Sequence, residues 1–177
     1  MQETAEQYIQ RMLGYVEGKD GIKVQRTTAG KLKHLVRGLT AKQLKWKPEP
    51  SKWSIAEILA HLADAELVVG WRMRSVVGEN GVTLQPFDQN VWASVFQYGK
   101  RDVKRSLETF RVLRENNLAM LKEIPRESWD NYGMHLERGR ETVAHLVRML
   151  AGHDTNHILQ IERIVAQLKT KKQKLAA

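Results

Sequence analysis

The stretch from Val143 to Leu168, VAHLVRMLAGHDTNHILQIERIVAQL, decides how this chain is to be read. At about 100° per residue, Val143, Leu146, Leu150, Ile161, Ile164 and Leu168 fall on one stripe, the pattern of a long helix with a single apolar face. His157 falls near the middle of that stripe and His153, one turn earlier, on its edge. A four-residue step returns nearly to the same face, so the two imidazoles point together into whatever the helix packs against. Buried polar rings without partners cost on the order of a few kcal/mol each. A metal ion is one partner that suits both. His145 projects away from the stripe and reads as a solvated side chain.

Working outward, glycine and proline punctuate a series of further helical patterns. A short first helix spans about Thr4 to Val16. A second runs through IKVQRTTAGKLKHLVRGL, with Leu32, Leu35, Val36 and Leu39 on one face and His34 pointing away from it. After the loop KPEPSKW, Ser54 followed by Glu57 forms a capping-box signature for a helix from about Ile55 to Val77. Gly78 to Gly99 is a long connection containing Pro86 and a short helix around Asp88 to Phe96. A helix from about Asp102 to Ile124 stops at Pro125, and PRESWDNYGMHLERGRE leads to the final helix, Thr142 to Leu168. No strand alternation stands out. Four principal helices with one long crossover predict an all-α four-helix bundle with a short N-terminal helix.

The chain has 177 residues, enough for one domain, here 1–168, followed by a basic and flexible tail at 169–177. It contains no cysteine, so any metal must be held by His, Asp or Glu. No secretory signal opens it and no apolar run approaches membrane-spanning length, which predicts a cytoplasmic protein without a membrane partner. The formal net charge is +9, but four lysines of the tail KTKKQKLAA carry much of the excess. A basic face with interleaved aromatics is missing, so nucleic acid is not the expected partner.

A metal site needs a third ligand from another helix, and His61 in WSIAEILAHLADAE is the best candidate. It lies at the border of the stripe formed by Ile55, Ile58, Leu59, Leu62 and Val69. Taken alone, His61 also reads as a hydrogen-bonded interior histidine. Asp64 in place of one imidazole would make a two-His-one-carboxylate site.

The motifs W-S-x-x-E-x-x-x-H, Trp53 to His61, and H-D-x-x-H-x-x-Q-I, His153 to Ile161, resemble the DinB/YfiT-like superfamily of metal-dependent enzymes. The similarity runs from the GKDG region through the final helix. It implies a four-helix bundle that commonly dimerises, with metal ligands at His61, His153 and His157. It also implies a divalent ion, zinc or nickel first and iron or manganese after them. Some members of that family are hydrolases and others transfer low-molecular-weight thiols, so the expected partners are a small-molecule substrate, such a thiol, and a second copy of the chain. Three imidazoles leave positions open for substrate or water, the arrangement of a catalytic rather than a structural site; the alternative is a metal-binding or stress-associated bundle without catalytic turnover. Metal lowers the pKa of a bound water to about 7 and deprotonates a bound thiol. The sequence assigns no catalytic acid or base. Glu57, Asp64 and Asp154 are candidates to accept the second ring N–H of a ligand histidine. Gln160, beside His153, could orient water. Trp53 is expected to pack at the bundle end. Asp88 and Trp92 could line the pocket mouth, and His135 reads as loop structure.

Overall fold

Each long helix before the last begins where a side-chain oxygen takes up the N–H groups that an α-helix leaves unpaired at its start. The computed structural model describes residues 3–176, with side chains to residue 171. Along the chain come α1 (Ala5–Gly14), α2 (Gly21–Val36), α3 (Ala41–Leu44) and α4 (Ile55–Gly78). These are followed by β1 (Thr83–Leu84), α5 (Gln89–Val95), α6 (Val103–Glu123), β2 (Tyr132–His135), β3 (Gly139–Thr142) and α7 (Val143–Ala176). Thr4 and Gln7 form a capping box on α1, Asp20 caps α2, Ser54 and Glu57 form the anticipated box on α4, and Asp102 caps α6. Asp88 caps the short α5.

The four principal helices are α2, α4, α6 and α7. α4 packs on α6 and α7, α2 packs on the same two, and α1 lies against α7. The four-helix bundle read from the sequence is the architecture found. Every residue of the α7 stripe is buried. The interior has two apolar ends. One gathers Leu32, Ile55, Ile58, Leu59, Leu62, Phe110, Ile161 and Ile164. The other gathers Met73, Val76, Leu84, Leu121, Val143, Leu146 and Val147.

Between the two ends lies a buried polar layer. Arg114, with its side chain 2 % exposed, donates to both oxygens of Glu66 (3.0 and 2.7 Å) and of Asp154 (2.6 and 3.0 Å), two carboxylates that are 0 % exposed. Thr28 donates to Asp154 at 2.9 Å, and Asn117 to Glu66 at 2.8 Å. This layer ties all four principal helices to one another. A buried ion cluster of this kind adds little net stability against an apolar replacement, but removing one member leaves an uncompensated charge.

Three sequence-based expectations need correction. Strands do occur: β1 pairs in parallel with β2, and β2 antiparallel with β3. They are two to four residues long, too short to show period-two alternation. Gly133 permits the pairing, because a Cβ there would stand 2.6 Å from Leu84 Cγ. His135 is not in a loop; it closes β2, is buried, and accepts a bond from the Glu137 N–H at Nδ1 (3.2 Å). His145 is not fully solvated either, for its side chain is 27 % exposed and its Nε2 lies 3.9 Å from Glu141. His34 is exposed, as read.

The final helix continues past Leu168. Of the basic tail, Lys171 stands 5.6 Å over the ring of Trp46, and the side chains from residue 172 onward lie outside the described residues. No helix among the described residues is long and apolar enough to cross a membrane.

Candidate metal centre

α4 and α7 carry His61, His153 and His157 to one point. His61 follows the Ser54 cap by two turns, so the capping box sets its height along α4. His153 and His157 are separated by one turn of α7. The ring centroids lie 4.5 to 5.0 Å apart, and one nitrogen from each ring falls within 4.8 Å of the other two. His61 Nε2 and His153 Nε2 are 2.9 Å apart.

The donor set fits a divalent ion. Zinc–nitrogen bonds of about 2.0–2.1 Å separate tetrahedral ligand nitrogens by about 3.3 Å, between the observed 2.9 and 4.8 Å. Burial, reinforced by the neighbouring imidazoles, holds His61 and His153 well below the usual histidine range; burial also brings His157 down to about 4. All three are therefore neutral at pH 7, the form that donates a lone pair to metal. Two neutral rings with Nε2 atoms face to face can share only one proton, and Nδ1 of both His61 and His153 is buried without a hydrogen-bond partner. A cation between the rings would use both Nε2 lone pairs.

The acids named from sequence are committed elsewhere. Glu57 accepts from the Ser54 backbone and hydroxyl (both 2.8 Å) and pairs with Lys47 at 2.9 Å. Asp64 accepts from Tyr98 Oη and from Arg101, each at 2.7 Å. Asp154 belongs to Arg114 and Thr28. Gln160 touches a ligand, though a different one from that anticipated: its Oε1 lies 2.9 Å from Nδ1 of His157, not beside His153. With the proton on Nδ1, that contact is a hydrogen bond to Gln160 and leaves the Nε2 lone pair free for a metal.

Trp53 is not merely end packing. Its ring lies 4.9 Å from His61 and stacks on His157 at 6.5 Å with 14° between planes, closing one side of the cluster. On another side His61 and His153 open onto a cavity of about 570 Å³. α1 contributes Thr4 and Tyr8 to its wall, α7 contributes Leu146, Met149 and Leu150, and Phe87 and Asp88 stand on the connection after β1. Asp88 is thus where the sequence placed it. Trp92 instead lines a separate, smaller hollow with Leu67 and Trp71.

The sequence reading did not find Glu66, Arg114, Asn117 and Arg72 as buried polar residues. A signal existed. Glu66 stands one turn after Leu62 and two before Met73 on the apolar face of α4, and Arg114 one turn after Phe110.

A four-helix bundle with three histidines on two facing helices defines a class, and comparison with known proteins gives it a name. Residues 26–161 match the DinB superfamily, and the chain belongs to it. Two proteins of Oceanobacillus iheyensis, each named "Putative metal-dependent hydrolase", are similar to it. One is 22 % identical over 130 residues (73 % of this chain, 75 % of the relative), the other 24 % over 141 (80 % and 81 %). Bacillus subtilis YfiT, carrying the same description, is 22 % identical over 144 residues, 81 % of each chain. The solved structure of YfiT, described as "a probable metal-dependent hydrolase with an unusual four-helix bundle topology", superposes with a TM-score of 0.79. It has 21 % identity and covers 84 % of this chain and 86 % of that one.

Proposed function

We propose that this chain is a metal-dependent hydrolase that holds one divalent ion through His61, His153 and His157 and acts on a small molecule in the adjoining cavity. The observation that carries the reading is the convergence of three neutral imidazoles, His61 and His157 buried and His153 half-buried, from α4 and α7 beside a cavity large enough for a metabolite. The names of the relatives point the same way. When bound, the ion supplies Lewis acidity and an activated water as nucleophile. The protein's own groups do the rest. Gln160 fixes the tautomer of His157, Trp53 keeps bulk water off one side of the cluster, and the Arg114 layer holds α7 at the height where His153 meets His61.

Zinc titration into chelator-treated protein, with metal content by mass spectrometry, tests the site. Wild type should bind one ion, and His61→Ala and His157→Ala should bind at least a hundredfold more weakly. Full occupancy in both variants would overturn the assignment. Ester and amide substrates assayed without added thiol then test hydrolysis, and turnover that requires an added thiol would replace hydrolysis by group transfer.

A homodimer is also proposed. Leu67 and Trp71 on α4 are 55 % and 70 % exposed, and Val91, Val95 and Phe96 around α5 are 46 to 65 % exposed. Large apolar side chains gathered on the surface mark an interaction face.

A further inference from the structure

The cavity beside the metal centre follows one face of α4, where His61, Ala65, Val69 and Arg72 line it. Eleven residues at 1.5 Å each put the Cα atoms of His61 and Arg72 about 16 Å apart, and 1,100° of rotation, roughly three full turns, returns them to the same face. Between them the wall is apolar, made by Ala65 and Val69 from α4 and by Leu146 and Leu150 from α7.

Arg72 is 5 % exposed. Its guanidinium carries five N–H donors, and among the described residues its one hydrogen-bond acceptor is the Gln85 carbonyl. The ring of Phe87 lies 5.9 Å away. Among the described residues it makes no ion pair. Two carboxylates lie within its electrostatic reach: Glu141 is taken by Arg138 at 2.7 and 3.1 Å, and Glu137 is exposed. Two further acids around the cavity are occupied: Glu3 pairs with Arg11 at 2.7 Å and Asp88 caps α5. Burial brings Arg72 down to about 10, still a cation at neutral pH. Near Arg72, though not on the cavity wall, His135 accepts at Nδ1 and so carries its proton on Nε2, which is buried and has no partner among the described residues. Proteins rarely bury a guanidinium without a counter-anion, and a planar fork of N–H groups matches a carboxylate with two parallel bonds.

We infer that Arg72 is the anion-binding residue of this cavity, and that the substrate is an elongated small molecule with a carboxylate at the end remote from the histidines. The apolar wall between Arg72 and His61 would hold the body of the molecule. What happens at the other end rests on the hydrolase reading above; anion binding at Arg72 does not.

The test uses 4-phenylbutyrate, its neutral amide and phenyl phosphate as probes, titrated calorimetrically into metal-free and zinc-loaded protein. Metal-free wild type should bind the carboxylate at least tenfold more tightly than the amide. Arg72→Gln should abolish that preference and Arg72→Lys should reduce it. Equal binding of acid and amide to metal-free wild type would overturn the inference, a result that needs no variant to fold. A preference that survives Arg72→Gln would overturn it as well. Tenfold tighter binding of phenyl phosphate would overturn the carboxylate class. Failure of zinc to bind in the parallel titration would remove the hydrolase reading while leaving the metal-free result intact.

Discussion

Acid should destabilise the metal-free protein well above the range in which ordinary carboxylates titrate. Burial holds His157 and His135 at about 4, against 6.5 for a free imidazole. Below pH 6.5 the unfolded chain takes up protons at these positions while the folded chain refuses them until about pH 4. The unfolded state therefore binds more protons throughout that window, and stability falls as pH falls. Above pH 6.5 both states are neutral and the dependence vanishes. Inside the window each histidine contributes about 1.4 kcal/mol per pH unit, so at pH 5 each has cost about 2 kcal/mol and the pair about 4. His61 and His153, held low by the same burial, act in the same direction. A typical domain has about 5–15 kcal/mol in total, so the loss would be plain in urea titrations of chelator-treated protein at pH 7.5, 6.5, 5.5 and 5.0. His157→Leu should recover about 2 kcal/mol of the drop at pH 5. Zinc should raise the stability at every pH in this window without flattening the slope, because the proton uptake belongs to the unfolded chain. A free energy constant within about 1 kcal/mol from pH 7 to 5 would refute the reasoning, as would an unchanged slope in His157→Leu.

Other perturbations separate the parts of the molecule. Arg114→Met strands Glu66 and Asp154, both 0 % exposed, and should cost about 3–5 kcal/mol by chemical denaturation; adding Glu66→Met and Asp154→Leu should restore most of it. A single variant within about 1 kcal/mol of wild type would mean that water reaches the layer. Gln160→Leu frees His157 Nδ1 and should weaken zinc binding about 10–100-fold in competition titrations, with unchanged affinity counting against the contact. Trp71→Glu, at a 70 % exposed position, should give a monomer by light scattering while stability moves by no more than about 0.5 kcal/mol; an unaltered mass would place any dimer interface elsewhere.

The helices were legible because their signals are local. Ser54 with Glu57 and Asp102 sit at the starts they mark, and the stripe from Val143 to Leu168 needs only a period to be read. The three histidines were legible for a related reason, since helix geometry orients them and family motifs link the two helices. What escaped reading depends on long-range contacts. β1 meets β2 across some fifty residues, and strands this short carry no pattern. Gln160 lies one turn from His157 and two from His153, and only the side-chain rotamer decides between them. Arg114 and Glu66 interrupt apolar faces as if by error until their mutual distance is known. Arg72 gives no local sign at all, because what marks it is a counter-charge that its surroundings do not provide.

α1 crosses α7 where Gly152 lies, and a Cβ at Gly152 would run into the Met12 carbonyl oxygen. His153 is the next residue, so the first helix is seated directly against the three-histidine cluster. That helix supplies Thr4 and Tyr8 to the cavity, yet it precedes residue 26, where the match to the superfamily begins. One part of the cavity wall is thus separable along the chain from the three histidines. If the cavity takes a substrate, substitutions at Thr4 and Tyr8 should alter which molecules fit without touching an imidazole, which makes α1 a natural segment to randomise when altering specificity.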